Sequence, residues 1–110
     1  MTTVEQDLNR EIAKIERTHL GFEDHGILTG FLHVSYGGAT QGVGGYGIAT
    51  VAGQYLERTL KACGVQAWED LRGRTIYVLT NSNRRVVGIE NLPTEPGERF
   101  LFAEVFGEPS

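Results

Sequence analysis

A glycine-rich segment in the middle of the chain is the first place where residue types and spacing could do chemistry. Residues 42–47 read GVGGYG, the G-x-G-x-x-G spacing of dinucleotide-binding loops, but the chain is too short for repeated βαβ units. Two other interpretations stay open. The glycines form a strand on which another backbone packs closely, or they expose amides in a pocket wall. In the second case Gly42 and Gly44 supply backbone, while Gln41 and Tyr46 contact a phosphate or ribose.

Polar and basic residues form a second group around a predicted hairpin and on the strand after it: Asn81, Asn83, Arg84, Arg85, Arg74 and Arg99. Asparagine tolerates left-handed backbone conformations, so turn geometry alone explains Asn81 and Asn83. The functional interpretation is recognition of an anionic ligand, with an arginine fork on phosphate. Arg99, beside Phe100 and Phe102, would add a cation next to a stacking surface. The predicted ligand-binding set is Gln41, Gly42, Gly44, Tyr46, Arg74, Asn81, Asn83, Arg85 and Arg99.

The sequence contains no recognisable set of residues for nucleophilic catalysis and no recognisable metal-binding motif. Cys63 falls on the apolar side of a predicted helix, where a thiol is a small buried hydrophobe. No serine stands at a strand-to-helix elbow. The three histidines, at 19, 25 and 33, are six and eight residues apart, which matches no compact ligand motif. The sequence therefore predicts binding without catalytic residues, metal or cofactor.

Length and charge narrow the class of protein further. The 110 residues predict a single domain, with 1–10 as an N-terminal extension or short helix and 11–106 as the core. The net charge of −4 argues against binding to polymeric nucleic acid. No apolar run reaches the roughly 20 residues of a membrane-spanning helix, and the polar start is no secretory signal. The single cysteine excludes a disulfide scaffold, so the expected location is a reducing cytoplasm, away from membranes.

Hydrophobic periodicity predicts an α+β protein: a small antiparallel β-sheet with one main amphipathic helix and a short N-terminal helix over residues 2–9. The predicted strands are 11–22, 27–36, 74–80, 85–91 and 99–106, with a turn at 23–26. Thr50 is expected to cap the main helix, which runs to about Cys63 and stops at Gly64. The last strand is apolar on both faces, so one face would be exposed, and a homodimer is the simplest way to cover it.

Three sequence blocks occur in a distinctive order: LGFEDHGIL at 20–28, QGVGGY at 41–46 and GVQAWEDLRGR at 64–74. They resemble the small phage proteins of the first-described Thoeris anti-defence family, over roughly residues 12–91. The resemblance implies a nucleotide sponge, which sequesters cyclic ADP-ribose isomers made by bacterial TIR-domain enzymes and releases them intact. It also implies a dimer-based homo-oligomer in the host cell cytoplasm, with pockets at subunit interfaces. Some members also bind cyclic oligonucleotides at a second kind of site.

The sequence departs from the family pattern at one informative position. The family block reads Gln-Gly-Phe-Gly-Gly-Tyr, and Val43 replaces the aromatic residue, so a stacking role there is lost. Under the resemblance, Asn81 would contact the ribose or base and Arg99 the phosphate. Two other functions compete with the sponge. One is a protein-interaction module that inhibits a phage or host protein, and the other is a small hydrolase or transferase acting on nucleotides.

Overall fold

The structure is a computed structural model that describes residues 8–92 and 98–107. Its first element is a long β-hairpin. Strands β1 (Asn9–Glu23) and β2 (Ile27–Tyr36) pair antiparallel along most of their length. Their turn needs left-handed backbone at three successive residues, Asp24, His25 and Gly26, whose φ angles are 45°, 65° and 101°. Aspartate and glycine suit such a turn, and the sequence prediction of a hairpin is confirmed here.

Within the described residues, six strands form one antiparallel sheet in the order β3-β2-β1-β4-β5-β6, which confirms the predicted α+β class. The later strands are β3 (Ala39–Tyr46), β4 (Thr75–Thr80), β5 (Val86–Glu90) and β6 (Arg99–Leu101). Only the first part of β1 pairs with β4, from Asn9↔Thr80 to Lys14↔Thr75. The far half of the hairpin therefore extends beyond the centre of the sheet. The two edge strands of the sheet are the glycine-rich strand β3 and the short strand β6.

One main helix, α1 (Ala52–Cys63), covers one face of the sheet, and a short 3₁₀ helix follows at Trp68–Asp70. The predicted cap at Thr50 is wrong. The N-cap is Val51, without a side-chain cap, and the Val51 N–H donates instead to the Ile48 carbonyl in the turn before the helix. The predicted stop at Gly64 is confirmed, because this residue has the left-handed conformation (φ 70°) that glycine adopts at low cost.

The core lies between α1 and the sheet. Its members are fully or almost fully buried apolar side chains, including Ile15, Leu32, Val34, Ile76, Val78 and Ile89. Tyr55 of α1 is completely buried among them, and its hydroxyl donates to the Gly30 carbonyl at 2.5 Å. Burial raises the pKa of Tyr55 to about 12, so the phenol stays protonated and remains a donor. This hydrogen bond fixes the helix against β2.

The predicted last strand over 99–106 is wrong beyond its first three residues. Strand β6 ends at Leu101, and Phe102 begins a helical turn that continues as α2 (Ala103–Phe106). Phe100 is completely buried, and Phe106 packs on Tyr55 with ring centroids 5.6 Å apart. The aromatic strand face that suggested a dimer is thus folded onto the protein itself. The predicted helix at 2–9 lies almost wholly outside the described residues.

Candidate functional site

Strand β3 combines close packing with an open edge, so both interpretations of the glycine segment have a basis. A Cβ on Gly44 would overlap the Tyr55 hydroxyl, and a Cβ on Gly45 would overlap Ile48. These two glycines are required by packing. Gly42 is exposed, and a Cβ there would meet the His33 ring at an ordinary 3.4 Å. Because β3 pairs with β2 on one side only, alternate backbone groups of this strand are left without a strand partner.

The turn between β4 and β5 is held by its first residue. The Asn81 Oδ1 atom accepts hydrogen bonds from the backbone N–H groups of Asn83 and Arg85, both at 3.0 Å. Arg84 has a φ of 62°, a left-handed conformation that costs a non-glycine residue roughly 1–2 kcal/mol. Such strain persists only where the surroundings impose it, and it often accompanies function.

A cavity of about 390 Å³ lies between the free edge of β3 and this turn. We call it the edge cavity. Its lining residues come from β2, β3, the β4–β5 turn, the start of β5 and the N-cap of α2: Phe31, Gln41, Gly42, Val43, Gly44, Arg84, Arg85, Val86 and Phe102. Two aromatic rings, two arginines, one amide side chain and glycine backbone therefore meet in one place.

The two arginines of the edge cavity differ from most other arginines of the protein in their lack of side-chain partners. Neither Arg84 nor Arg85 donates a side-chain hydrogen bond or forms an ion pair within residues 8–92 and 98–107. By contrast, Arg74 donates to the Cys63 carbonyl at 2.8 Å, and Arg99 lies 3.1 Å from the Glu90 carboxylate. Adjacent like charges repel, so an anion bound between Arg84 and Arg85 would relieve a repulsion that the fold leaves in place.

A second cavity, of about 640 Å³, adjoins the first and shares Gln41 and Arg84 with it. We call it the mouth cavity. Its other lining includes Glu11 of β1, Tyr36 of β2 and Asn81 of the turn. Besides the shared Arg84, its side chains carry the Glu11 carboxylate and several hydrogen-bonding groups, whereas the described charged groups of the edge cavity are the two arginines.

Five of the nine predicted ligand-binding residues line at least one of the two cavities, and four line neither. Four of them line the edge cavity: Gln41, Gly42, Gly44 and Arg85. Asn81 lines the mouth cavity together with Gln41. Asn83 lies in the same turn, but its contact there is the backbone one to Asn81.

The remaining three predicted residues, Tyr46, Arg74 and Arg99, line neither cavity. The Tyr46 hydroxyl donates to Asp24 Oδ2 at 2.7 Å, at the far end of β3, and this bond raises the pKa of Tyr46. Arg74 caps the C-terminal end of α1 through its bond to Cys63, and Arg99 pairs with buried Glu90. These arginines have structural partners inside the fold, which the sequence does not reveal.

Five lining residues were missing from the predicted set: Phe31, Val43, Arg84, Val86 and Phe102. Arg84 stood in the recognised cluster, and two adjacent arginines at a hairpin tip are a sequence sign that both line the same cavity. Phe31 pairs across the strands with Gly44, so the ring has no opposing side chain on β3 and reaches the strand edge. A large aromatic residue opposite a glycine is the sequence pattern that could have identified it.

Neither the cysteine nor any histidine is among the described residues that line the two cavities. Burial raises the pKa of the Cys63 thiol to about 12, so this cysteine is a poor nucleophile at neutral pH. Burial, and then the nearby Arg17 charge, lowers the pKa of His33, which keeps this imidazole neutral. No group of three or more metal-ligating side chains occurs within the described residues. No helix in this part of the chain is long and apolar enough to cross a bilayer.

Comparison with protein-family models, with curated proteins and with solved structures gives no match.

Proposed function

We propose that the protein binds a small anionic nucleotide in the edge cavity and holds it without chemical change. The observation that carries this proposal is the pair of guanidinium groups, Arg84 and Arg85, which have no anionic partner in the described chain and face exposed glycine backbone beside two aromatic rings. The ligand class is a cyclic ADP-ribose isomer, with cyclic oligonucleotides as further ligands. The biological role is that of a phage anti-defence sponge that blocks host antiviral signalling in the host cytoplasm.

Each wall of the edge cavity matches one part of a nucleotide. Arginine forks bind phosphate oxygens through paired, charge-assisted hydrogen bonds. Aromatic rings such as Phe31 and Phe102 offer faces on which a base stacks, worth about 1–3 kcal/mol per base. Gln41 supplies an amide for ribose or phosphate. The volume of about 390 Å³ falls in the range of roughly 300–1,000 Å³ that is usual for small-molecule sites.

The local chemistry favours sequestration over turnover. A hydrolase needs a positioned base or nucleophile close to the bound phosphate. None of the described residues that line the edge cavity carries a carboxylate, an imidazole or a thiol. The resemblance to the Thoeris anti-defence proteins supports the same function, because the block QGVGGY corresponds to β3 and contributes Gln41, Gly42 and Gly44 to the cavity wall.

The first experiment is calorimetry of the purified protein with glycocyclic ADP-ribose, followed by heat release and mass analysis of the ligand. We expect tight binding and recovery of the unchanged ligand. A changed ligand would show a hydrolase or transferase instead. The absence of any heat would contradict the nucleotide proposal and favour the competing function, a module that inhibits a protein partner.

We also propose that the protein forms a homodimer through the free edge of β1, with larger homo-oligomers built from this dimer. From Ile15 to Glu23, β1 pairs with β2 along one edge, and no described strand pairs with its other edge. Two large apolar residues on this part of the strand are exposed, Leu20 by 43% and Phe22 by 71%. An unpaired edge with exposed apolar side chains is a ready template for another strand.

The edge is self-complementary when two copies pair antiparallel about Gly21. In this register Leu20 lies opposite Phe22 of the partner subunit, on the apolar face. On the other face His19 lies opposite the partner subunit's Glu23, and these two residues already approach to 3.1 Å within one chain. Apolar side chains thus meet apolar ones, and an imidazole meets a carboxylate, which is why a second copy fits this edge.

Substituting Gly21→Cys tests this dimer directly. Directly opposed residues in antiparallel strands have Cα atoms about 4.5–5.5 Å apart, which suits a disulfide. We expect oxidation to give a covalent dimer on a non-reducing gel, since buried Cys63 does not react. Gly53→Cys, at an open position on α1, is the matched control and should stay monomeric on the gel. Monomers for both variants, with a monomeric mass in light scattering, would rule out this interface.

A further inference from the structure

The mouth cavity has a hydrogen-bonding pattern of its own, which the edge cavity does not explain. We infer that the mouth cavity is a base-binding subsite that takes an amino-bearing purine, through Glu11 and Asn81, while Arg84 and Arg85 hold the phosphates of the same ligand. This inference rests on the proposed function, because it assumes a nucleotide in the edge cavity. The inference adds to the phosphate site a second recognition site, whose lining includes none of the glycines of β3.

Asn81 enters the mouth cavity with only part of its amide in use. Its Oδ1 atom already accepts two backbone hydrogen bonds within the turn, from Asn83 and Arg85. The Nδ2 group is therefore the part left to face a ligand, and it can only donate. The turn geometry thus orients this side chain, because a flipped amide would lose both bonds.

Glu11 supplies the complementary acceptor in the same cavity. Its carboxylate receives one long hydrogen bond, from Thr80 Oγ1 at 3.5 Å, and forms no ion pair within residues 8–92 and 98–107. A ligand that fits must donate to Glu11 and accept from Asn81. The Watson–Crick edge of adenine has this pattern, since its amino group donates and the neighbouring ring nitrogen accepts. Tyr36 adds a half-buried aromatic ring and hydroxyl to the same wall.

Charge fixes the direction in which the ligand lies across the two cavities. Arg85 lines the edge cavity alone and Arg84 lies where the two cavities meet, so both attract phosphate there, whereas Glu11 lines the mouth cavity alone and its carboxylate repels phosphate. A nucleotide is anionic at its phosphates and uncharged at its base, so only one orientation satisfies both ends. Gln41 and Arg84 line both cavities and mark the place where the ligand would pass from one to the other.

Hypoxanthine offers a sharp probe of this subsite. It differs from adenine at the amino group, which is replaced by a carbonyl oxygen, and at the neighbouring ring nitrogen, which carries a hydrogen. Both changes oppose the pattern set by Glu11 and Asn81, because acceptor would face acceptor and donor would face donor. Since Glu11 is exposed to solvent, we expect a moderate preference for adenine, about tenfold in affinity.

The experiment compares linear ADP-ribose with inosine diphosphate ribose by calorimetry, on the unmodified protein and on Glu11→Gln. The glutamine side chain can rotate to donate or to accept, so the roughly tenfold preference should fall to near unity in this variant. Glu57→Gln, on the exposed side of α1 and outside both cavities, is the control and should keep the preference. Binding of pyrophosphate alone should not weaken in Glu11→Gln.

Three outcomes separate this inference from the proposed function. A preference for ADP-ribose that disappears in Glu11→Gln supports the base subsite. Equal affinities for the two ligands in the unmodified protein, both lost on removal of Arg84 and Arg85, overturn the subsite and leave the proposed function standing. Failure of every nucleotide and of pyrophosphate to bind overturns both.

Discussion

Replacement of Arg84 and Arg85 together by alanine is expected to weaken binding of glycocyclic ADP-ribose by about 100-fold. A hydrogen bond to a charged group contributes roughly 1.5–3 kcal/mol, and partial exposure of the turn reduces this value. Two such groups acting on phosphate then give about 2.7 kcal/mol, which is 100-fold in affinity. Calorimetry at fixed salt measures the change directly.

A control variant with the same loss of charge separates contact from long-range attraction. Arg17 and Arg72 are exposed and line neither cavity. Their joint replacement by alanine also removes two positive charges from a chain of net charge −4. We expect this control to lose affinity less than threefold, because salt at 0.15 M screens charges beyond roughly 8 Å. Equal losses in the two double variants would contradict a phosphate site at the turn.

The variant Arg84→Gly tests whether weaker ligand binding is caused by a loss of the fold. Glycine adopts the φ of 62° without the strain that arginine bears there, although it loses more backbone entropy on folding. We therefore expect the free energy of unfolding to stay the same or rise by up to about 1 kcal/mol, while affinity falls. A variant that binds less tightly yet unfolds no more easily would place the role of Arg84 in the ligand contact.

Local patterns predicted the hairpin and the end of the main helix because the controlling interactions there are local. The turn at Asp24 and Gly26 depends on the φ preferences of its own residues, and Gly64 ends α1 for the same reason. The strand predicted for the C-terminal segment was wrong beyond Leu101. Phe102, Val105 and Phe106 alternate poorly as a strand but recur at the i, i+3, i+4 spacing of a helix, and packing on Tyr55 decides between them.

The candidate site was only partly predictable, because its selection depends on contacts between distant residues. Arg74, Arg85 and Arg99 look alike in the sequence, because each is the first residue of a predicted strand. The fold gives Arg74 the carbonyl at the end of α1 and gives Arg99 a buried carboxylate, while Arg85 receives neither. The sequence limits the choice to a few arginines, and the tertiary partners determine which of them remain available to a ligand.

Gly42 and Gly44 lie on either side of Val43, and their replacement by alanine should change the free energy of unfolding by very different amounts. At Gly44 (φ 121°) the new methyl group would overlap the Tyr55 hydroxyl and lie 2.9 Å from the Gly30 carbonyl oxygen. It would therefore disturb the hydrogen bond that holds α1 on the sheet, and overpacking and backbone strain would each add a cost. We expect Gly44→Ala to lower the free energy of unfolding by about 3–4 kcal/mol, measured by denaturant unfolding.

Gly42→Ala is the matched variant, two residues away on the same edge strand. Its methyl group meets only the His33 ring at 3.4 Å, so the free energy of unfolding should change by no more than about 0.5 kcal/mol. The same methyl group narrows the edge cavity beside Gln41, and affinity for glycocyclic ADP-ribose should fall several-fold. Equal destabilisation by both substitutions, with affinity unchanged in Gly42→Ala, would mean that the glycines serve packing alone. A difference between the two variants would show that one strand has both roles, because Tyr55 fills the side-chain space of Gly44, whereas the space at Gly42 stays open to a ligand.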